Sequence, residues 1–237
     1  MRATLVEFRQ RFYIIGACFC IAFFISRVQR ESVWISLSAW LSTIDHLSTG
    51  ANALVVGIFV SLCVVVAALL RTWGAAYLHS TVVHDPALRT EKIVAVGPFR
   101  YLRNPLYLGT ILLALGTAPM LSGWGALFLL ATIIIFSLRL IGREESEMAR
   151  THGSSYDEYC RRVPSLVPRL ASASTSRPAA PEWPQAIVGE LWFWGFAAAT
   201  VCYAFTFRFD WYGRIILGGF GLYLIGRGLL RTNQGLA

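Results

Sequence analysis

The chain has 237 residues, of which 56% are hydrophobic and 14% are charged, whereas roughly 25% of the residues in soluble domains are charged. A disordered chain, a disulfide scaffold and an ordinary cytosolic enzyme all fit this composition poorly, because too few polar groups are present to cover a surface in water. The class that remains is an integral membrane protein, with a net charge of +8.

Six apolar segments predict transmembrane helices, since a span needs about 20 mostly apolar residues. In chain order they are residues 12–26, 51–70, 106–121, 124–141, 186–207 and 212–230. Pro119, near the end of the third segment, and the pair Ser122-Gly123 directly after that segment indicate a tight helical hairpin. The sequence therefore predicts an all-α integral membrane protein with about six spans.

Residues 32–47 are apolar but contain Asp45, His46 and five serines or threonines. This composition is too polar for a span. We interpret the segment as an amphipathic helix in the membrane interface, with Trp34 and Trp40 at the boundary.

The basic residues predict the orientation of the chain in the membrane. With six spans and both termini inside, 17 of the 21 lysines and arginines fall on one side of the membrane. Because cytoplasmic loops carry an excess of such residues, we expect both termini and both long polar segments, 71–105 and 142–185, to face the cytoplasm. The basic residues are then an orientation signal rather than a nucleic-acid surface.

The chain divides by composition into four parts. Residues 1–50 hold the first span and the interfacial helix, and residues 51–170 hold the membrane core with both polar segments. Residues 171–185 are rich in Ser, Ala and Pro, which is typical of a linker. Residues 186–237 form a C-terminal pair of predicted spans.

The first polar segment ends in an ordered run, VGPFRYLRNPLYLG, over residues 96–109. Gly97 and Pro98 predict a turn, and Pro105 suits the first position of a helix, where its missing N–H costs nothing. Arg103 and Asn104 then precede a helix N-terminus, whose free N–H groups and dipole favour an anionic ligand.

The second polar segment follows the fourth predicted span. Arg139 lies at the membrane end of that span, and Glu144 and Glu145 follow on the side of the membrane predicted for Asn104. Farther on, Gly153, Tyr156, Tyr159 and Arg162 precede Val163-Pro164, and the spacing of three places the two tyrosines and Arg162 on one helical face.

Together the two stretches resemble the superfamily of isoprenylcysteine carboxyl methyltransferases and phospholipid N-methyltransferases. That family has Gly-x-Tyr-x-x-x-Arg-His-Pro-x-Tyr-x-Gly at a span entrance, a Glu-Glu pair after the next span, then Gly-x-x-Tyr-x-x-Tyr and Val-Pro. The resemblance covers about residues 50–170. The matching positions, in chain order, are Gly97, Arg103, Pro105, Tyr107, Gly109, Glu144, Glu145, Gly153, Tyr156, Tyr159, Val163 and Pro164.

This chain departs from the family pattern at two positions. Phe99 stands where the family often has Tyr, and Asn104 stands where it usually has His. Asn donates and accepts hydrogen bonds but carries no charge and shuttles no proton, so only a neutral hydrogen-bonding role is expected of Asn104.

The resemblance implies transfer of a methyl group from S-adenosylmethionine to a lipophilic small molecule or a lipid-anchored substrate in the membrane. It implies that Arg103 and Asn104 bind the polar end of the cofactor and that Glu144 or Glu145 accepts from its ammonium or a ribose hydroxyl. It implies catalytic roles for Glu144 and for Arg139, which would hold an anionic acceptor. The full cofactor set that it implies is Lys92, Ile93, Val94, Gly97, Phe99, Arg103, Asn104, Pro105, Tyr107, Glu144 and Glu145.

Three other classes remain open. A nicotinamide-dependent membrane reductase of the sterol reductase type has a related motif and fold, and a catalytically silent membrane scaffold fits the loss of the family His. A transporter is disfavoured because no acid inside a span and no inverted repeat stand out. The histidines and cysteines form no metal-ligand pattern, so we predict no metal.

Overall fold

The structure is a computed structural model that describes residues 2–29, 31–78, 93–169 and 180–234. Within these ranges the chain forms ten α-helices and two short 3-10 helices, η1 and η2, and no β-strand. The α-helices are α1 (Leu5–Arg9), α2 (Arg11–Val28), α3 (Val33–Asp45), α4 (Thr49–Leu78), α5 (Pro105–Thr117), α6 (Gly123–His152), α7 (Ser154–Arg162), α8 (Trp183–Gly189), α9 (Leu191–Thr206) and α10 (Phe209–Gln234). The 3-10 helices are η1 (Gly97–Arg100) and η2 (Ala118–Met120).

Several of these helices are long and apolar enough to cross a membrane. Helices α2, α4 and α6 meet both conditions, and α8 with α9 forms a fourth candidate that bends by 59° at its break. Pro105–Met120 is a shorter apolar helix. The protein is therefore an all-α integral membrane protein. Each of the six predicted spans coincides with a helix or a bent pair, and the count of six spans stays a prediction.

Helix α4 is the centre of the bundle. It packs against α5 on one side and against α8 and α9 on another, while α2 packs on α6. Val64, Ala67 and Ala68 of α4 and Leu113 and Ala114 of α5 are completely buried in the main hydrophobic core. The alanines let the two helix backbones approach closely, as is common where helices pack inside a membrane.

Helix α3 covers residues that the sequence places in the membrane interface. Trp40 is 58% exposed, but Trp34 is only 2% exposed and packs edge-on against Tyr203 at 5.4 Å. The Nε1 of Trp34 donates to the Ala53 carbonyl at 3.1 Å. The indole of Trp34 therefore contacts α4 and α9, and the position of the two tryptophans at the membrane boundary stays a prediction.

The connection between α5 and α6 is the predicted tight hairpin. Helix η2 ends α5, and the Oγ of Ser122 accepts from the Gly125 amide at 3.3 Å to cap α6. The hairpin makes α5 and α6 antiparallel neighbours. The beginning of α5 and the polar end of α6 consequently lie at the same end of the bundle.

Gly125 marks a close approach of α6 to α2 and gives a test of this packing. A Cβ at Gly125 would lie 2.8 Å from the Ala22 carbonyl oxygen of α2, whereas a Cβ at Gly123, in the same helix, would meet nothing within 4 Å. We expect Gly125→Ala to destabilise the protein by about 1–3 kcal/mol, the usual cost of overpacking. Thermal unfolding in detergent measures the effect.

Gly123→Ala is the matched control, and its unfolding midpoint is expected to equal that of the unsubstituted protein or to exceed it slightly. Equal midpoints for the two variants would contradict the packing of α2 on α6.

Candidate functional site

The segment before α5 is held in place by two specific contacts. Gly97 has φ +56°, and a Cβ there would overlap the ring of Tyr77 at the end of α4. Phe99 is buried in η1, and its carbonyl accepts from the Tyr159 hydroxyl of α7 at 2.8 Å. The predicted turn at Gly97-Pro98 therefore connects α4, α5 and α7. Phe99 acts in this contact through its backbone.

The start of α5 follows the sequence prediction, but Asn104 does not cap it. Pro105 is the first helical residue, and the side chain of Asn104, at the N-cap position, makes no capping hydrogen bond. The Asn104 amide instead donates to Oε1 of Glu145 at 2.9 Å and to Oγ of Ser165 at 3.0 Å. The first N–H groups of α5 have no partner inside the helix, since they precede its hydrogen-bond ladder.

Arg103 forms a bidentate ion pair with Glu145 across the same site. Its Nε donates to Oε1 at 3.0 Å and its Nη2 to Oε2 at 3.2 Å. Its Nη1 donates to the carbonyls of Cys160 at 3.1 Å and Val163 at 2.7 Å. Paired, charge-assisted bonds of this kind are among the stronger polar contacts in proteins. The two motif stretches, far apart in sequence, thus meet at Glu145.

Glu144 contacts the same helix turn at a different point. The Tyr107 hydroxyl donates to its Oε1 at 2.8 Å. Consecutive helical residues point about 100° apart, so Glu145 reaches the N-cap of α5 while Glu144 reaches the third residue of the helix. The sequence places both acids on the same side of the membrane as Asn104, and in the structure both contact residues at the beginning of α5.

The segment after α7 closes the site from a third side. The backbone N–H groups of Arg103 and Asn104 donate to the carbonyls of Pro164 at 2.8 Å and Ser165 at 3.1 Å. The Ser165 hydroxyl also lies 3.1 Å from Oε1 of Glu145. Ser165 could not be found from the sequence, because a serine after Val-Pro carries no signal of its own. We name Arg103, Asn104, Glu145 and Ser165 the Glu145 cluster.

Two tyrosines of α7 share one face of that helix, and Tyr159 donates a hydrogen bond to the Phe99 carbonyl. Tyr156 and Tyr159 lie 6.0 Å apart, ring to ring, on one face of α7, as their spacing predicts. Burial raises the pKa of both phenols well above the usual value. Both hydroxyls are therefore protonated at neutral pH, and Tyr159 remains a donor to Phe99.

Arg139 lies apart from the Glu145 cluster and pairs with the N-terminal helix. Its Nη2 donates to Oε1 and Oε2 of Glu7 at 2.8 and 2.7 Å, and its carbonyl accepts from the Ala3 amide at 3.0 Å. Hydrogen bonds from the backbone of Thr4 and from Arg139 hold the pKa of Glu7 below its usual value. Nothing in the sequence pointed to Glu7 as the partner of Arg139.

The remaining predicted positions are only partly described. Ile93 and Val94 are half-buried and precede Gly97. Lys92 lies outside the described residues, as do His79 and His84. Among the residues that the structure covers, no group of three or more His, Cys, Asp or Glu could hold a metal ion.

The Glu145 cluster and Glu144 together offer complementary groups at the beginning of α5. A guanidinium and an amide contact Glu145, the Tyr107 hydroxyl contacts Glu144, and the first N–H groups of α5 have no side-chain cap. Helix N-termini favour anions, and carboxylates favour ammonium and hydroxyl groups. The arrangement therefore suits a small polar ligand that carries both charges.

A match to a known family covers the Glu145 cluster except for Ser165. The sequence model of the phospholipid methyltransferase family matches residues 51–155, which include most of α4 and all of α5 and α6. No solved structure matches the chain.

Three curated relatives are similar to parts of the chain. A protein-S-isoprenylcysteine O-methyltransferase of Schizosaccharomyces pombe is 31% identical over 41% of this chain and 41% of its own length. The nickel-cobalt-cadmium resistance protein NccN of Alcaligenes xylosoxydans xylosoxydans is 26% identical over 71% of this chain and 76% of its own length. Methanethiol S-methyltransferase 2 of Bradyrhizobium diazoefficiens is 39% identical over 30% of this chain and 27% of its own length.

The chain thus spans less than half of each of the two methyltransferases that it matches. Both relatives are named as methyltransferases, and the region matched by the family model contains Arg103, Asn104, Tyr107, Glu144 and Glu145. The resemblance seen in the sequence is confirmed: residues 51–155 match the phospholipid methyltransferase family, and parts of the chain are similar to two methyltransferases.

Proposed function

We propose that the protein transfers a methyl group from S-adenosylmethionine to a lipophilic acceptor in the membrane. The observation that carries the proposal is the Glu145 cluster, because it joins both family motifs at the N-terminus of α5. It lies at the polar end of helices that are apolar enough to enter a membrane. A polar cofactor and a membrane-dissolved acceptor could meet at such an end.

The groups in the site fit the polar part of this cofactor. The amino acid end of S-adenosylmethionine carries a carboxylate and an ammonium, and its ribose carries hydroxyls. We propose that Glu144 and Glu145 accept from the ammonium or the hydroxyls and that the first turn of α5 and Asn104 favour the carboxylate. Lys92, Ile93, Val94 and Gly97, on the approach to α5, are proposed as backbone contacts.

Arg103 has a more specific role in this proposal than the sequence predicts. Four of its N–H bonds go to Glu145, Cys160 and Val163. An arginine with these partners orients the Glu145 carboxylate, so we propose that it supports the cofactor site through Glu145. Direct binding of the cofactor carboxylate would require Arg103 to exchange one of these partners.

S-adenosylmethionine, when bound, supplies a methyl group on a positively charged sulfur. The protein's part is to hold donor and acceptor in line, and proximity and orientation can supply roughly 7–11 kcal/mol of such a barrier. A carboxylate acceptor needs no base, whereas a protonated amine must lose a proton. For an amine we propose Glu144 as the base, with Tyr107 orienting its carboxylate.

The acceptor class follows from the setting of the site. The candidates are a prenylated cysteine carboxylate, an aminophospholipid and another membrane-soluble acid or phenol. Each has an apolar part that dissolves in the membrane and a polar group that can reach the polar end of the helices. Arg139 is proposed to hold an anionic acceptor, which would compete with Glu7 for its guanidinium. The bias of 17 basic residues among 21 supports a cytoplasmic position for both termini and the site.

Labelled cofactor tests this proposal on the purified full-length protein. We expect saturable binding of S-adenosylmethionine carrying an isotope in its methyl group, and transfer of the label into a membrane lipid extract. Mass spectrometry of the extract identifies the acceptor by a gain of one methyl mass. Absence of saturable binding would contradict the proposal, and a nicotinamide-dependent reduction by the same protein would favour the reductase alternative.

Glu145→Gln tests the Glu145 cluster. The neutral amide leaves Arg103 without its anionic partner and cannot accept from an ammonium as a carboxylate does. We expect the affinity for S-adenosylmethionine to fall about tenfold or more, which corresponds to one lost hydrogen bond between charged groups. Isothermal titration calorimetry measures the dissociation constant.

Glu147→Gln is the matched control for this variant. Glu147 lies on the same helix and pairs with Arg150, whose side chain is 81% exposed. Pairs on the surface contribute little, so we expect unchanged affinity. An equal effect of the two substitutions would reject the assignment of Glu145.

Asn104→Asp tests the neutral hydrogen-bonding role of Asn104 by its dependence on pH. The substitution removes a donor and places a second carboxylate beside Oε1 of Glu145, which the amide now contacts at 2.9 Å. Two carboxylates at this distance repel unless one is protonated, and a protonated carboxyl is again a donor. We expect weak cofactor binding at about pH 8 and partial recovery towards about pH 5.

Asn104→Ala serves as the control, since it lacks the donor at every pH and should show no such recovery. An Asn104→Asp variant that binds with the same affinity as the unsubstituted protein at high pH would contradict the contact with Glu145.

A further inference from the structure

A buried ion pair joins the C-terminal helices to the family core. The Nε of Arg71 in α4 lies 2.6 Å from Oε2 of Glu190, and its Nη2 lies 3.0 Å from Oε1. The two side chains are 6% and 0% exposed. Glu190 occupies the break between α8 and α9, at the 59° bend. It is an acid within the predicted span 186–207, where the sequence analysis saw none.

Arg71 also binds the first turns of α5. Its Nη1 donates to the Leu106 carbonyl at 3.1 Å and to the Thr110 hydroxyl at 3.0 Å. The ring of Phe193 in α9 covers its guanidinium at 4.0 Å. The guanidinium is thus fixed by α5 on one side and by Glu190 and Phe193 on the other.

This turn of α5 is the one that carries the proposed site. Leu106 lies between Asn104, which contacts Glu145, and Tyr107, which contacts Glu144. A shift of the Leu106 carbonyl therefore moves both residues. Contacts run from Glu190 through Arg71 to Leu106 and end at the two acids of α6.

Residues from the C-terminal part of the chain also contact the same end of α4. The Trp194 indole donates to the Thr72 hydroxyl at 3.1 Å, and the Glu182 amide donates to the Ala76 carbonyl at 2.8 Å. The next residue, Tyr77, meets Gly97 at the entrance to the site. Residues 182–194 and the site segment therefore contact the same part of α4.

The energetics of the pair favour a role in positioning. Desolvation offsets most of the attraction in a buried ion pair, and apolar replacement of both partners is often neutral or stabilising. Stability alone is a weak reason for a charged pair at this place. The bonds from Arg71 to the backbone and side chain of α5 are specific, and an apolar pair would lack them.

We propose that Arg71 and Glu190 are positioning residues for the cofactor site and that α8 and α9 complete the methyltransferase core. The inference rests on the proposed function, because one of its tests measures the affinity for S-adenosylmethionine. Residues 186–207, which the sequence places in a separate C-terminal unit, then belong to the functional unit. Arg71 and Glu190 act through Leu106 and Thr110 and need not touch the cofactor.

The double variant Arg71→Met/Glu190→Met separates positioning from stability. Glu190→Met alone leaves a buried cation unpaired, so we expect both the unfolding midpoint and the affinity for S-adenosylmethionine to fall. In the double variant no charge is left unpaired, and we expect the midpoint to recover. The affinity should stay about tenfold or more below that of the unsubstituted protein, since α5 has lost the bonds from Arg71.

Thr110→Val provides a milder variant that keeps the ion pair. It removes one acceptor of Arg71 from α5, and we expect an affinity loss of several-fold. Thr132→Val is its matched control, because the Thr132 hydroxyl bonds to carbonyls of its own helix. Recovery of full affinity in the double variant, or equal effects of the two Thr→Val substitutions, would overturn the proposal.

Hydrogen–deuterium exchange of the cofactor-free protein gives a second readout. In the double variant and in Thr110→Val we expect faster exchange in peptides that cover residues 103–110, with unchanged exchange in peptides of α10. Unchanged exchange over 103–110 would overturn the positioning role whether or not the protein binds the cofactor. Failure of the unsubstituted protein to bind S-adenosylmethionine would instead contradict the proposed function alone.

Discussion

The bidentate contact of Arg103 with Glu145 is the interaction on which the proposed site depends. It connects the N-terminus of α5 to the polar end of α6, and Arg103 also binds the carbonyls of Cys160 and Val163 at the end of α7. Through these bonds the single side chain of Arg103 contacts two segments that are distant from it in sequence. The antiparallel α5–α6 hairpin makes the contact possible, because it brings the two polar ends to one side of the bundle.

The parts of the fold that follow from short-range chemistry could be predicted from the sequence. Pro105 at a helix start and Ser122-Gly123 at a turn are local signals, and in the structure α5 begins at Pro105 while Ser122 caps α6 after the turn. The resemblance to the family assigned Glu144 and Glu145 to one site with Asn104, and the hairpin of two apolar segments brings the beginning of α5 and the end of α6 together. The family match over residues 51–155 includes these positions.

The parts that were missed depend on contacts across long stretches of chain. Glu190 is a single acid in an apolar segment, and Arg71 was assigned to a cytoplasmic loop, yet the two form a buried pair. Glu7, in the N-terminal helix α1, forms an ion pair with Arg139 of α6. Trp34 fits a membrane boundary by composition, and its indole also packs inside the protein. No periodicity or motif specifies such partners, because tertiary packing determines them.

The central claim is that the N-terminus of α5 and the acids of α6 bind S-adenosylmethionine. Ultraviolet crosslinking of labelled S-adenosylmethionine to the full-length protein, followed by proteolysis and mass spectrometry, tests it most directly. The account predicts label in peptides from residues 93–109 and 139–165 that disappears with excess unlabelled cofactor. Competable label confined to α3 or α10, with none in those two regions, would contradict it.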